Sequence, residues 1–350
     1  YPLVTHAGTD AAKQGGRIYL GILLGTSIAF LLLAVMGTYS LTGTLDFRPG
    51  GIFNDSHNKA ILSILLVLFC YGIGKAAIMP FHRWLPAAMV APTPVSALLH
   101  AVAVVKAGVF SLLKVVIYIF GIDGLKELAT TDIMLYIGTA TILLSSCIAM
   151  TKDNLKARLA YSTISQLSYI VVGALLASSI ASAGAALHIA THAVGKITLF
   201  FCAGAIMVAS HKKNISDMAG LGRQMPITFA AFTIGAISII GLPPMAGAWS
   251  KWYLTIGALD ADKLFVVAAL MISSLLNIAY LLPIPIKAFF TKPVEGAEPW
   301  RWSDTKEAPL PILIAITITS IGCLALFFYP QPLIDLINLI PGVSTNMGEG

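Results

Sequence analysis

Seven ionisable side chains fall inside long apolar runs of this chain: Lys75, His100, Lys106, His188, His192, Lys196 and Lys251. Insertion scales put a lysine at the centre of a membrane helix at roughly 2.5–3.5 kcal/mol, so a series of them calls for a purpose. Loss of hydration disfavours the charged form of such a base, and a nearby carboxylate or anion favours it. A lysine held between those influences takes up and releases a proton as its neighbours move or change charge. Histidine titrates near neutral pH without help. A row of these groups joined by water is what a proton path through a membrane requires. Lys114 and Lys287 lie nearer the ends of their runs, where a long side chain reaches the interface, and are set aside.

The spacing sharpens this reading. His188, His192 and Lys196 stand at i, i+4 and i+8; each step of four advances about 40° around a helix, so the three share one face. Two histidines at i, i+4 also suit zinc, but His188-Ile-Ala-Thr-His192 lacks the glutamate of a metalloprotease helix, and no third ligand stands out. Proton relay, structural histidine and metal site are the three readings, and the relay leads. On a regular helix His100 and Lys106 point about 120° apart, each toward a different neighbour. Tyr161, Ser162, Ser165 and Gln166 line one run, where they either hold water or bond between helices. No Asp or Glu lies deep in any run, so the partners of these bases are expected in water, another subunit or chain preceding Tyr1.

Other chemistry is poorly supported. Gly72-Ile-Gly-Lys75 has the wrong spacing for a phosphate loop, and Ala76 replaces the needed Ser or Thr. No Ser/His/Asp arrangement and no flavin or nicotinamide fingerprint is present, so no cofactor and no resident metal are expected. Cys70, Cys147, Cys202 and Cys323 each sit in an apolar run without metal or redox spacing.

The elements that must position these bases follow from composition. Hydrophobic residues make up 57% of the chain and charged residues 11%, with a mean hydropathy of +0.85. Soluble domains run near 25% charged. The class is therefore all-α and polytopic in a membrane, with about nine helical spans near 17–38, 60–79, 94–119, 133–150, 158–180, 183–209, 226–258, 263–290 and 309–329. Tyr1 to Gly16 reads as the end of one element and a polar turn. With no methionine and no signal-peptide pattern at the start, the chain reads as N-terminally truncated. The net charge of +6 is loop charge rather than a nucleic-acid surface, because no basic face gathers it. One side of the membrane collects Lys13, Arg17, Arg83, Lys152, Lys156, Arg158, Lys212, Lys213, Arg223, Lys292, Arg301 and Lys306. The other has Arg48, Lys59, Lys126 and Lys263. The positive-inside tendency then predicts a cytoplasmic N-terminus.

Two spans are predicted to be discontinuous. Lys75-Ala-Ala-Ile-Met-Pro-Phe-His-Arg-Trp-Leu-Pro places Pro80 and Pro86 near the end of one, and Gly241-Leu-Pro-Pro-Met-Ala-Gly247 interrupts 226–258. Each proline removes a backbone donor and clashes with the preceding turn. Backbone freed at membrane depth is tolerated only within protein or beside a water-filled cavity. Interrupted helices in two halves are a pointer to a transporter with internal repeats, and a packing kink is the plain alternative.

The stretch GKAAIMPFHRWLPAAMVAPTPVSALLHAVAVVKAGVF (74–110) closely resembles the antiporter-like family, which includes the large membrane subunits of respiratory complex I and the A-type and D-type components of Mrp monovalent cation/proton antiporters. DNLKARLAYSTISQLSY (153–169), HIATHAVGKITLFF (188–201) and GLPPMAGAWSKWYL (241–254) resemble its next signatures in the same order. The resemblance implies two inverted five-helix repeats, each with a broken helix. A single transmembrane domain over 1–350 would comprise the remainder of the first repeat (1–120), a second repeat (130–290) and a C-terminal helix and tail (305–350). By the same resemblance Lys75 matches the lysine of the first broken helix, and His100 and Lys106 match residues of the helix that follows it. His188, His192 and Lys196 match the central connecting residues, and Lys251 that of the second broken helix. Family members pair the Lys75-type lysine with a glutamate from a helix before Tyr1. AGAWSKWYLTIGAL resembles the D-type component of the Mrp antiporters.

The expected function is proton translocation as a subunit of a multisubunit Na+/proton antiporter in the bacterial inner membrane. Its partners would be other membrane subunits, the lipid bilayer, protons and Na+. The alternatives are a proton-pumping subunit of a complex I-like oxidoreductase or membrane-bound hydrogenase, and a truncated non-conducting scaffold.

Overall fold

A computed structural model describes residues 1–54, 56–291 and 306–345, with the backbone but not the side chain of His100. Lys292 and Arg301 of the charge count lie outside the described residues. The described chain is helical throughout, and its one bridge joins Asn154 to Asn214. All nine apolar runs fall on helices. We label them α1 (Asp10–Thr42), α2 (Lys59–Gly72), α3 (93–120), α4 (Ala129–Thr151), α5 (Leu155–Leu175), α6 (Ser179–Ser210), α7 (Pro226–Ile240), α8 (Gly247–Asp260), α9 (Leu264–Phe290) and α10 (Leu310–Phe328). Five of them, α1, α4, α6, α9 and α10, are long and apolar enough to cross a membrane by themselves. Helices α2 and α7 are shorter because each ends at a break.

Local sequence explains most boundaries and corrects two expectations. Helix α1 begins at Asp10, inside the stretch read as a polar turn. Thr9 caps it by accepting from the Ala12 N–H at 3.2 Å, and the Ala11-Ala12 pair is strongly helix-forming. Helix α3 is not regular. A π-helical turn spans Leu98–Val102, a second spans Val116–Phe120, and Ala103 between the first turn and Val104 has φ −96°. The angle expected between His100 and Lys106 assumed 100° per residue and does not apply across a π turn.

Contacts between connections fix the two ends of the bundle. At one end Lys59 pairs with Glu127 at 2.8 Å, Lys263 with Asp132 at 2.6 Å, and Ser178 donates to Asp260 at 2.7 Å. At the other, the Leu155 N–H donates to the Lys213 carbonyl at 3.0 Å, Ile215 N–H to Asp153 at 2.9 Å, and Lys306 N–H to Gln224 at 2.9 Å. Lys152, Lys156, Arg158, Lys212, Lys213 and Arg223 gather at this second, basic end, so connections sharing a charge bias share an end. Lys114 caps the other end of α3 by resting its ammonium on the Phe47 ring at 4.0 Å.

Helix α6 is the spine. It packs on α5, α7, α8, α10 and α3, and small residues let it do so. A Cβ at Gly184 would stand 2.7 Å from the Leu254 N, and one at Gly257 of α8 would stand 2.4 Å from the Ala181 N. Such close approach is the usual basis of helix association in lipid.

Candidate functional site: a buried row of bases

His188, His192 and Lys196 lie on one face of α6, as their spacing predicts, and all three are buried. Each reaches a different helix. His192 Nδ1 lies 2.5 Å from Lys106 Nζ of α3. His188 Nδ1 lies 2.8 Å from the Ser250 hydroxyl of α8, which also accepts from Thr191 at 3.1 Å. Lys196 Nζ donates to Ser162 Oγ of α5 at 2.7 Å. The two histidine rings stack at 5.7 Å, and His188 stacks at 5.5 Å on Tyr169. Lys251 adjoins the same tyrosine, with its ammonium 4.8 Å from the ring centroid. Lys106, His192, His188, Tyr169 and Lys251 thus form a continuous row across α3, α6, α5 and α8.

The second break explains where Lys251 finds its partner. Helix α7 stops at Gly241, which takes φ +88°, a conformation open to glycine and strained for other residues. Stopping leaves late carbonyls of α7 without intrahelical donors. Lys251 Nζ donates to one of them, Ile240 O, at 2.8 Å and to Ser274 Oγ of α9 at 3.1 Å. The negative end of α7 favours a cation there. Gly241 also makes room, since a Cβ on it would stand 2.5 Å from Lys251 Cδ.

The first break is built differently. Helix α2 ends at Gly72, short of Pro80, and a 3-10 turn follows over Gly74–Ala76, with Ala77 left-handed at φ 59°. Pro86 lies inside a short helix, Trp84–Ala87, rather than at a stop. Here the Gly74 carbonyl is taken by the Trp84 indole N–H at 3.0 Å. Lys75 is exposed and has no bonded side-chain partner among the described residues. The structure therefore joins four of the expected bases into one row, ties Lys196 to its side, and leaves Lys75 apart. The His100 side chain lies outside the described residues.

Lys196 opens a branch that spacing alone did not reveal. Tyr280 of α9 contacts both Ser162 Oγ, at 2.9 Å, and Asn277 Oδ1. An amide oxygen only accepts, so the Tyr280 hydroxyl donates to Asn277. It then accepts from Ser162, whose oxygen accepts from Lys196. The order of hydrogens runs from Lys196 outward. Helix α9 carries both ends of this arrangement, because Ser274 holds Lys251 one turn before Asn277. Ser165 bonds across helices as well, to Ser146 at 2.9 Å and Ser273 at 3.4 Å. Gln166 does not; both of its amide atoms are buried without a protein partner.

The sequence reading missed Tyr169, Ser250, Ser274, Asn277 and Tyr280. Each is a common residue on an apolar helix, and only Tyr169 and Ser250 carried a signal, by lying within two of the motif stretches. No Asp or Glu is buried among the described residues, so the lysines and histidines are held by hydroxyls, carbonyls and one another.

Comparison with known proteins places the chain in a family. A family profile described as "NADH:quinone oxidoreductase/Mrp antiporter, TM" matches residues 1–277. NADH-quinone oxidoreductase subunit N of Desulforudis audaxviator (strain MP104C) is 33% identical over 346 residues, covering 96% of this chain and 68% of that protein. The chloroplast NAD(P)H-quinone oxidoreductase subunit 5 of Nuphar advena is 39% identical over 239 residues, covering 63% of this chain and 31% of the relative. Among solved structures, the Mrp complex from Dietzia sp. DQ12-45-1b matches with a TM-score of 0.82 at 22% identity, over 94% of this chain and 67% of that one. The membrane-bound sulfane sulfur reductase, an archaeal respiratory membrane complex, matches with a TM-score of 0.84 at 24% identity, over 96% and 67%. The chain thus spans about two thirds of the neighbours' chains and a third of the chloroplast relative. This chain belongs to the family of transmembrane subunits shared by NADH:quinone oxidoreductases and Mrp antiporters.

Proposed function

We propose that this chain moves protons across a membrane, as one subunit of a multisubunit Na+/proton antiporter. The observation that carries the reading is the row of neighbouring buried groups from Lys106 through His192, His188 and Tyr169 to Lys251, hydrogen-bonded at its first step and in ring contact along the rest. Lys106 Nζ and His192 Nδ1 are within hydrogen-bond distance. A proton arriving at Lys106 passes to His192 as the imidazole accepts at Nδ1 and releases at Nε2. Nε2 of both histidines is buried without a protein partner, and buried polar atoms of this kind call for water. Lys251 receives the proton and holds it between the Ile240 carbonyl and Ser274. Lys75 and His100 belong to the first half of the route, and Lys196 with Ser162 and Tyr280 forms a side branch toward the basic end.

In this reading the remainder of the first repeat (1–120) and the second repeat (130–290) each contribute a broken helix. The basic end faces the cytoplasm of a bacterial inner membrane, and the partners are the other membrane subunits of the assembly, protons and Na+. A second reading is redox-driven pumping in a complex I-like assembly, favoured by the 33% identity to an NADH-quinone oxidoreductase subunit N.

The test uses inside-out vesicles containing the complete assembly, with a ΔpH-sensitive dye. Addition of sodium should collapse the gradient, and Lys251→Ala should prevent the collapse while the assembly still forms. Normal transport by an assembled Lys251→Ala protein would overturn the relay. A gradient untouched by sodium but generated by quinone reduction would move the chain to the redox-driven reading. Flux absent under both conditions would make it a scaffold.

A further inference from the structure

At the basic end, a groove of about 720 Å³ lies between the start of α3 and α10. Helix α6 packs against both and supplies its floor. The walls are apolar: Phe200, Phe201, Gly204 and Met207 from α6, with Ile312 and Ala315 from α10. From Phe200 to Met207 the floor runs about 10 Å along the helix axis, at 1.5 Å per residue. The rim has the opposite character. Lys156, Lys212 and Lys213 line it.

Those three lysines have no carboxylate partner among the described residues, whereas Lys59, Lys126 and Lys263 at the other end are each paired with one. Lys156 Nζ donates to the Ala91 carbonyl at 2.6 Å, which fixes its ammonium beside the opening and leaves its other hydrogens free. Helices α5 and α10 both begin at this mouth, at Leu155 and Leu310, and helix starts favour negative charge. An apolar trough that deepens into the bundle, capped by unneutralised ammonium groups at the level where the helices end, matches one chemistry. Acyl chains fit the trough and a phosphate diester fits the rim.

We propose that this groove is a binding site for an anionic glycerophospholipid, with its acyl chains against α6 and α10 and its phosphate among Lys156, Lys212 and Lys213. Basic pockets between membrane helices recognise lipid headgroups in this way. The site is separate from the row of bases and does not depend on proton transport.

Native mass spectrometry of the assembly containing this chain, after exchange into dioleoylphosphatidylglycerol or dioleoylphosphatidylcholine, tests it. The wild type should retain the anionic lipid in preference. Changing both loop lysines, Lys212→Gln and Lys213→Gln, should lower that retention about thirtyfold, at roughly one lysine's worth of surface attraction each, and leave the zwitterionic lipid unaffected. Ala315→Phe, which fills the trough without touching the rim, should expel both lipids. Equal retention of the two lipids by the wild type, or an unchanged preference in the Lys212→Gln/Lys213→Gln protein, overturns the proposal. So does a cross-link from a cysteine at Met207 to another polypeptide segment lying in the groove.

Discussion

Lys106 Nζ stands 2.5 Å from His192 Nδ1, and the two residues are 86 positions apart in the chain. Both are buried, at 7% and 1% exposure. Two bases so placed form a hydrogen bond in which one nitrogen donates and the other accepts. His192→Gln keeps a side chain able to accept from Lys106 but cannot carry a proton onward. It should lower sodium-linked proton flux roughly a hundredfold, in the range found for losing a positioned acid–base group, with assembly intact. Flux within twofold of wild type, normalised to assembled complex, would remove His192 from the path.

Gly241→Ala tests the second break without touching a base. The added Cβ meets Lys251 Cδ at 2.5 Å, on a backbone at φ +88°. The substitution should cost about 1–3 kcal/mol of stability and displace the ammonium from the Ile240 carbonyl. Transport should fall although Lys251 is still present. A variant with full flux and an unchanged melting temperature would show that Lys251 does not depend on this geometry.

The branch through Tyr280 predicts coupling. Tyr280→Phe removes a partner from Ser162 and from Asn277, and Ser162→Ala removes one from Tyr280 and from Lys196, which keeps the Leu159 carbonyl at 3.4 Å, each costing about 1–3 kcal/mol. Because both lie in one hydrogen-bonded chain, the double variant should cost less than the two single costs combined, by about 0.5–3 kcal/mol. A double-mutant cycle of unfolding in detergent measures this. Strict additivity would mean that the four groups do not act as one chain.

Asp153 ties two connections at the basic end. Its carboxylate accepts from the Ser216 N–H at 2.9 Å and hydroxyl at 2.6 Å, which holds its pKa below the usual carboxylate value, with the positive charges of Arg158 and Lys287 adding to the effect. A folded-state pKa below the unfolded one stabilises above the unfolded value, about 3.9, and that contribution is lost as the pH falls through the folded value. Asp153→Asn should therefore lower the melting temperature at pH 7, and the difference from wild type should shrink below about pH 4. A difference that stays constant from pH 7 to pH 3 would contradict this role.

Much of this was legible in the residues. Hydropathy located all nine helical runs, because apolar length is a local property of the chain. The i, i+4, i+8 spacing put His188, His192 and Lys196 on one face, because helix geometry fixes direction within an element. Gly241 and Pro243-Pro244 announced the second break. The bias of Lys and Arg gathered the right connections at one end. Charge in lipid is expensive enough that ionisable residues in apolar runs stood out, and four of the seven singled out, Lys106, His188, His192 and Lys251, fall in one row.

What each base touches was settled by packing. No spacing rule says that Tyr169 stacks on His188 beside Lys251, that Ile240 offers its carbonyl to Lys251, or that Trp84 takes the Gly74 carbonyl at the first break while Lys75 stays exposed. The π turn at Leu98–Val102 changed directions along α3 that a regular helix would have fixed. Sequence sets the face a side chain presents along its own helix. Its partner depends on how helices far apart in the chain cross and how closely they approach. Here bare glycine surfaces on α6 and α8 set that approach, and it exists only once the bundle has formed.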